Sequence, residues 1–184
     1  PGPYYLGAGQ AFVSRPAAKR DLSLMMVGGA KKGVPVFIGS AGGGGGDPHV
    51  DWLMEIVREI AAENGLHPKV AVIRSEQSKD SLKAKVKAGK IAPLGPIAEL
   101  TEEEIDNSHR VVAMMGPEPF QKALEDGADV VIAGRASDAA IYAAIPLMRG
   151  ANPGLAWHLG KIIECGAQVA EPRLGGDGVI GTLY

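Results

Sequence analysis

An α/β fold is what this chain predicts: an open, doubly wound parallel sheet with helices on both faces. Three observations carry that expectation. Strand-like and helix-like segments alternate four times along the 184 residues. The strand-like segments are continuous apolar runs, as expected of strands buried on both faces. Glycine-rich and polar segments follow those runs, where an open parallel sheet collects its ligands. With 46% apolar residues the chain can bury a core, and its length suits a single domain over 1–184.

Taken in order, Ser14 can cap a helix with Pro16 in its first turn, and Ala18, Leu22, Met25, Met26 and Ala30 share one face before Gly33. Val34–Ile38 reads as the first strand. Gly39-Ser40-Ala41 and five glycines, Gly42–Gly46, separate it from a strongly periodic helix. Asp47 is expected as its N-cap and Pro48 as its first residue. Val50, Leu53, Met54, Val57, Ile60 and Ala61 form its apolar stripe, and Asn64-Gly65 ends it. Lys69–Ile73 is a second strand, closed by Arg74-Ser75-Glu76. Residues 78–90 predict a lysine-studded helix, and Pro93 and Pro96 make 91–100 a loop. Thr101-Glu102-Glu103-Glu104 is a capping-box pattern.

Val111–Met115 is expected as a third strand, 117–126 as a helix closed by Gly127, and 128–133 as a fourth strand. Helices are expected over 136–148 and 155–165, and a loose tail over 171–178. The runs at 34–38, 70–73, 111–115 and 129–133 should be neighbouring parallel strands joined by crossover helices.

The balance of 19 basic and 21 acidic residues is interspersed and offers no footprint for nucleic acid. No apolar run reaches the roughly 18–20 residues of a membrane helix. The single cysteine, Cys165, excludes an internal disulfide and fits a reducing compartment. A cytoplasmic protein is therefore expected. The chain opens on Pro1 and closes on the apolar run 179–184, which predicts part of a larger protein. Unpaired sheet edges should then leave it as an oligomer or beside a partner chain.

Glycines allow close backbone approach, and a helix start offers N–H groups to an anion. The candidate substrate-binding set is therefore Ser40, Gly42, Gly43, Gly44, Gly45, Gly46 and Asp47, with Arg74, Arg135, Ser137 and Asp138 from the other strand ends. An arginine there can hold a carboxylate or phosphate bidentately. His49 and Glu76 are the candidate catalytic residues, placed to move a proton. A merely flexible turn is the alternative for the loop. Asp47 follows Gly46 where a Walker loop needs lysine, whereas Glu76, ending the next strand, leaves a dinucleotide reading open. The cofactor stays unassigned.

Asp47, His49 and Asp51 carry metal-ligating groups, but i and i+2 positions diverge on a helix. At most two could share an ion; capping and dipole complementation is the other reading. Lys79, Lys83, Lys85, Lys87 and Lys90 read as a solvated face. His158 and Cys165 lie seven apart, so a nucleophilic pair and a buried thiol both remain open. His67 and His109 have no usable context.

The chain resembles the acyclic terpene utilisation AtuA family. The resemblance rests on Pro1-Gly2-Pro3-Tyr4-Tyr5-Leu6-Gly7, Ile38-Gly39-Ser40-Ala41-Gly42-Gly43, Gly46-Asp47-Pro48-His49 and Asp51-Trp52. It continues through Val111–Phe120, Gly127–Asp138, Pro153–His158 and Ile163–Gly166. It implies a longer architecture, with a strand-forming segment ahead of the Pro-Gly-Pro-Tyr stretch and a further region after residues 181–183. It also implies breakdown of acyclic terpenes through acyl-CoA intermediates, with no catalytic residue set to carry over. The expected function is a catabolic enzyme domain acting on a small carboxylated or acyl-CoA-linked substrate by lyase or hydratase chemistry. The alternative is a non-catalytic anion-binding subunit that works with a partner chain.

Overall fold

The computed structural model describes residues 2–172 and 178–184, so most of the tail expected at 171–178 lies outside the described residues. Three strands, β1 (Val36–Ile38), β2 (Val70–Ile73) and β3 (Val130–Ala133), form one parallel sheet in the order β1-β3-β2. β3 takes the centre because it alone is buried at every position, whereas β1 and β2 have half-exposed residues. Val130 pairs with both Val36 and Val70.

Helices occupy the intervals. They are α1 (Pro3–Ala8), α2 (Arg15–Lys32), α3 (Asp47–Asn64), α4 (Lys79–Lys87), α5 (Glu102–Asn107), α6 (Glu118–Glu125), α7 (Asp138–Met148) and α8 (Pro153–Ile163). One core cluster joins Leu22 and Met26 of α2 and Val50, Leu53, Ile56, Val57 and Ile60 of α3 to Val36, Val130 and Ile132. A second joins Phe120 and Ala123 of α6 and Ala144 of α7 to Val131 and Ala133. Because alternate side chains leave opposite faces of a strand, helices cover both sides of β3.

The third expected strand does not form. Val111–Met115 makes two isolated bridges, Val112 antiparallel to Glu76 and Met115 parallel to Ala136. Its hydrogen bonds go past the strand ends: Gln77 N–H donates to Val111 O, Ala113 N–H to Ser75 O, and Met115 N–H to Arg135 O. The segment crosses the carboxyl end of the sheet instead of lengthening it. Two smaller corrections belong beside this one. Gly46, not Asp47, is the N-cap of α3, and α1 forms where no helix was expected.

The lysine-rich α4 is only partly a solvated face. Lys83 pairs with Asp106 at 2.5 Å and Lys87 with Glu102 at 3.3 Å, tying α4 to α5. The capping box of α5 is complete: Thr101 Oγ1 accepts from Glu104 N–H at 3.2 Å, and Glu104 Oε2 accepts from Thr101 N–H at 2.8 Å. Thr101→Ala is expected to cost about 1 kcal/mol in urea unfolding, the usual value of such a cap. The Thr101 amide, and then its hydroxyl, hold the Glu104 carboxyl below its ordinary value of 4.5. A depressed folded-state value stabilises fully above the unfolded value and is lost as pH falls through the folded one. A carboxyl NMR titration should show Glu104 titrating lower in the native protein than in Thr101→Ala.

Candidate functional site

Chain leaving β1 turns back on itself at once. Ser40 adopts φ +50, the only positive φ at a non-glycine among the described residues. Its N–H donates to Gly134 O at 2.8 Å and its hydroxyl to Ala136 O at 3.2 Å. A 3-10 turn over Ala41–Gly43 follows. Gly45, at φ +74, then lies so close to the chain after β3 that a Cβ on it would sit 2.7 Å from Arg135 Cα. A Cβ on Gly134 would in turn sit 2.7 Å from Gly45 O. These glycines allow backbone to meet backbone.

Ser75 locks the junction. Its hydroxyl donates to Gly45 O at 2.9 Å and accepts from Arg135 N–H at 2.7 Å, and its side chain is buried. Arg135 reinforces it from the other side, Nη2 donating to Gly43 O at 2.6 Å. Ser75, although placed at the end of its strand, and Arg110 were not among the site residues chosen from sequence, nor were Lys161 and Glu164 of the adjoining cavity. A serine just past a strand end, opposite a glycine loop, was the only signal for Ser75. Arg110 had none.

His49 lies 1% exposed under the same loop. Its Nε2 is 2.9 Å from Gln10 O and 3.1 Å from Tyr5 O. Both partners are acceptors, so Nε2 carries the ring proton. The imidazole thereby holds the α1 segment onto the loop, and Gly44 has no side chain because the ring occupies that space.

Glu76 meets the start of α3. Its Oε2 accepts from Asp47 N–H at 2.8 Å, and its Oε1 pairs with Arg110 Nη1 at 3.1 Å. Pro48 has no N–H to offer, and the amides of His49 and Val50 donate to Gly46 O. The anion at this helix start is thus the chain's own carboxylate. Arg74 is shared by Asp51, at 2.5 Å, and Asp47, at 3.5 Å, and the Asp51 hydrogen bond raises its pKa. Asp47 and Asp51 therefore converge on a guanidinium while His49 faces α1. Among the described residues no group of three His, Cys, Asp or Glu side chains is placed to hold a metal ion.

Beside this clasp lies a cavity of about 180 Å³, bounded by Met114, Arg135, Ser137, Asp138, Lys161 and Glu164, with Ala136 and Ala139. Ser137 is the N-cap of α7 but makes no side-chain cap bond, so the first turn of α7 faces the cavity uncapped. Lys161 pairs with Glu164 at 2.5 Å. That lysine, and then the Cys165 thiol, lower the Glu164 pKa. Cys165 is exposed, not buried, and lies past the end of α8, where it donates to Glu164 Oε2 at 3.2 Å. The Glu164 carboxylate that accepts its hydrogen bond pushes the thiol pKa up, the opposite of what a nucleophile needs.

The candidate residues thus divide into two groups. Ser40, Gly42–Gly46, Asp47, His49, Arg74 and Glu76 knit the glycine loop, α1 and α3 together. Ser137 and Asp138 line the cavity, and Arg135 touches both.

Fold and rim define an α/β protein with a glycine-loop clasp and a small charged cavity at the carboxyl end of its central strand. The family model for the acyclic terpene utilisation family protein AtuA matches residues 16–177, and the chain belongs to that family. No curated protein and no solved structure matches the chain. Among the described residues no helix is long and apolar enough to cross a membrane.

Proposed function

We propose that the chain is a catabolic enzyme domain that receives a small carboxylated or acyl-CoA-linked substrate at the cavity beside Arg135. The family's link to acyclic terpene utilisation supports an acid or thioester substrate. The observation that carries the reading is that Arg135 and Lys161 line the same cavity as the uncapped first turn of α7. Guanidinium, ammonium and helix N–H groups are three ways to meet a carboxylate or phosphate oxygen. In a lyase or hydratase, the carboxylates of Asp138 and Glu164 on the cavity wall would handle the proton. His49 and Glu76 would keep the clasp closed.

Titration calorimetry with a panel of hydroxy acids and acyl-CoA thioesters tests this. Arg135→Ala should weaken binding by about 1.5–3 kcal/mol, the range for a hydrogen bond to a charged group, and Arg135→Lys should recover part of it. Arg135 also supports Gly43 O, so melting curves should be compared, and Lys161→Ala supplies a variant that holds no loop. Unchanged affinity in both alanine variants would overturn the assignment.

A non-catalytic anion-binding subunit is the second reading. It is favoured by the way His49 and Glu76 are spent on internal hydrogen bonds. Exposed Leu24, Val34 and Leu155 support a partner chain or a second copy. Sedimentation at high concentration should detect association, and a clean monomer would count against it. Turnover by the isolated chain would exclude the subunit reading.

A further inference from the structure

Helix α2 buries one side through Leu22 and Met26, and it spends Arg15 and Lys19 on carboxylates of α3. Its opposite side is apolar where a surface helix is ordinarily polar. Leu24 is 72% exposed, and Met25 and Val27 stand out beside it. Gly28 follows, inside the helix, where glycine is destabilising relative to alanine. A Cβ on Gly28 would meet nothing within 4 Å, so no contact among the described residues calls for glycine there. Gly29, by contrast, is required by its own chain, because a Cβ on it would sit 2.7 Å from Val34 O.

Asp21, Leu24, Gly28 and Lys31 succeed one another at spacings of three, four and three, and all four are exposed. That is the spacing of a seam between two packed helices. Reversed, the seam is its own complement. Two copies of α2, laid antiparallel with their centre at the level of Met26, put Leu24 of one in the same layer as Gly28 of the other. The same pairing puts Asp21 with Lys31. A large side chain then meets a gap and a carboxylate meets an ammonium, each twice over by two-fold symmetry. Asp21 gives Oδ1 to Arg20 at 2.8 Å, which leaves Oδ2 for the lysine of the second copy. Met25 and Val27 flank the seam on opposite sides, and near the centre each packs beside its own copy. Arg20 and Lys32 fall on opposite flanks and do not face each other. A parallel pair would instead set Asp21 on Asp21 and Lys31 on Lys31.

We propose that the outer face of α2 is a homodimer interface. Its occupant is α2 of a second copy of this chain, antiparallel, with Leu24 seated over Gly28 and Asp21 paired with Lys31. The interface rests on neither reading of the Arg135 cavity.

Sedimentation equilibrium of the whole chain tests it, with melting curves to confirm that each variant folds. Wild type should form a dimer. Leu24→Glu should weaken it by more than about a hundredfold, because two leucines leave the interface at once. Gly28→Leu closes the gap and should also weaken it, while the open space around Gly28 leaves the fold intact. Asp21→Lys and Lys31→Asp should each weaken association by roughly tenfold, since each breaks both ion pairs. Combined in one chain, the two reversals restore opposite charges across an antiparallel seam and should recover most of the loss. A wild-type monomer at high concentration would overturn the interface and leave the face to a different protein. A dimer indifferent to Leu24→Glu would overturn it too. So would a double reversal that is weaker than either single one, because that result excludes the Asp21–Lys31 pairing.

Discussion

Gly45→Ala is expected to destabilise the protein by about 2–5 kcal/mol in urea unfolding. Two costs act together, roughly 1–2 kcal/mol for an L-residue held in the left-handed region and about 1–3 kcal/mol for overpacking. Gly45 holds φ +74, and its new Cβ would meet the Arg135 backbone, which cannot rotate aside like a flexible side chain. The Ser75 hydroxyl would lose its seat between Gly45 O and Arg135 N–H. Gly65→Ala is the control. It shares the conformation, φ +61, but a Cβ there meets nothing within 4 Å, so only the roughly 1–2 kcal/mol conformational cost applies. Equal losses in the two variants would mean that the loop does not press on the chain after β3 in solution.

Phe120→Ala is expected to cost about 3–5 kcal/mol, the range for emptying a buried aromatic site. Phe120 is fully buried, and its ring centroid lies 5.5 Å from that of Phe37. Around it stand Ala123, Ala133, Ala136 and Ala144. Small side chains on rigid elements cannot lean in to fill a void, so the loss should fall near the upper end. Phe120→Leu keeps most of the volume and should cost much less. Thermal or urea unfolding of both measures the difference. A small loss for Phe120→Ala would show that this side of the sheet is loosely packed.

The sequence reading succeeded where the cause of structure lies within one turn of chain. α2 begins after Ser14, which accepts from Ala17 N–H at 3.4 Å, and stops at left-handed Gly33. The stripe of α3 faces the core as its spacing required. The capping box at Thr101–Glu104 has both its bonds. Such signals need only a residue and its third or fourth neighbour.

Where partners are remote, the pattern was silent or misleading. Val111–Met115 has a strand's composition, but β-propensity records fit to a half-buried surface and names no neighbour. Here the neighbours were residues 75–77 and 135–137, beyond the strand ends. The glycine loop raised the same ambiguity at larger scale. Its run of glycines announced a close approach of backbone, and a close approach occurs. What approaches, though, is the chain's own Arg135 backbone and His49 ring, and the negative charge at the start of α3 is its own Glu76.

The amino-acid sequence by itself determined most of the alternation of strand and helix, the caps at Ser14, Gly33 and Thr101, the family and the strand-end rim on which polar residues gather. Tertiary structure alone decided that β3 is central, that His49 clasps α1, and that Arg135 joins the loop to the cavity. The physical reason is range. Helix propensity, capping and periodicity are set by neighbours within about four residues. A hydrogen bond between Ser75 and Arg135, 60 positions apart, depends on how all the intervening elements pack.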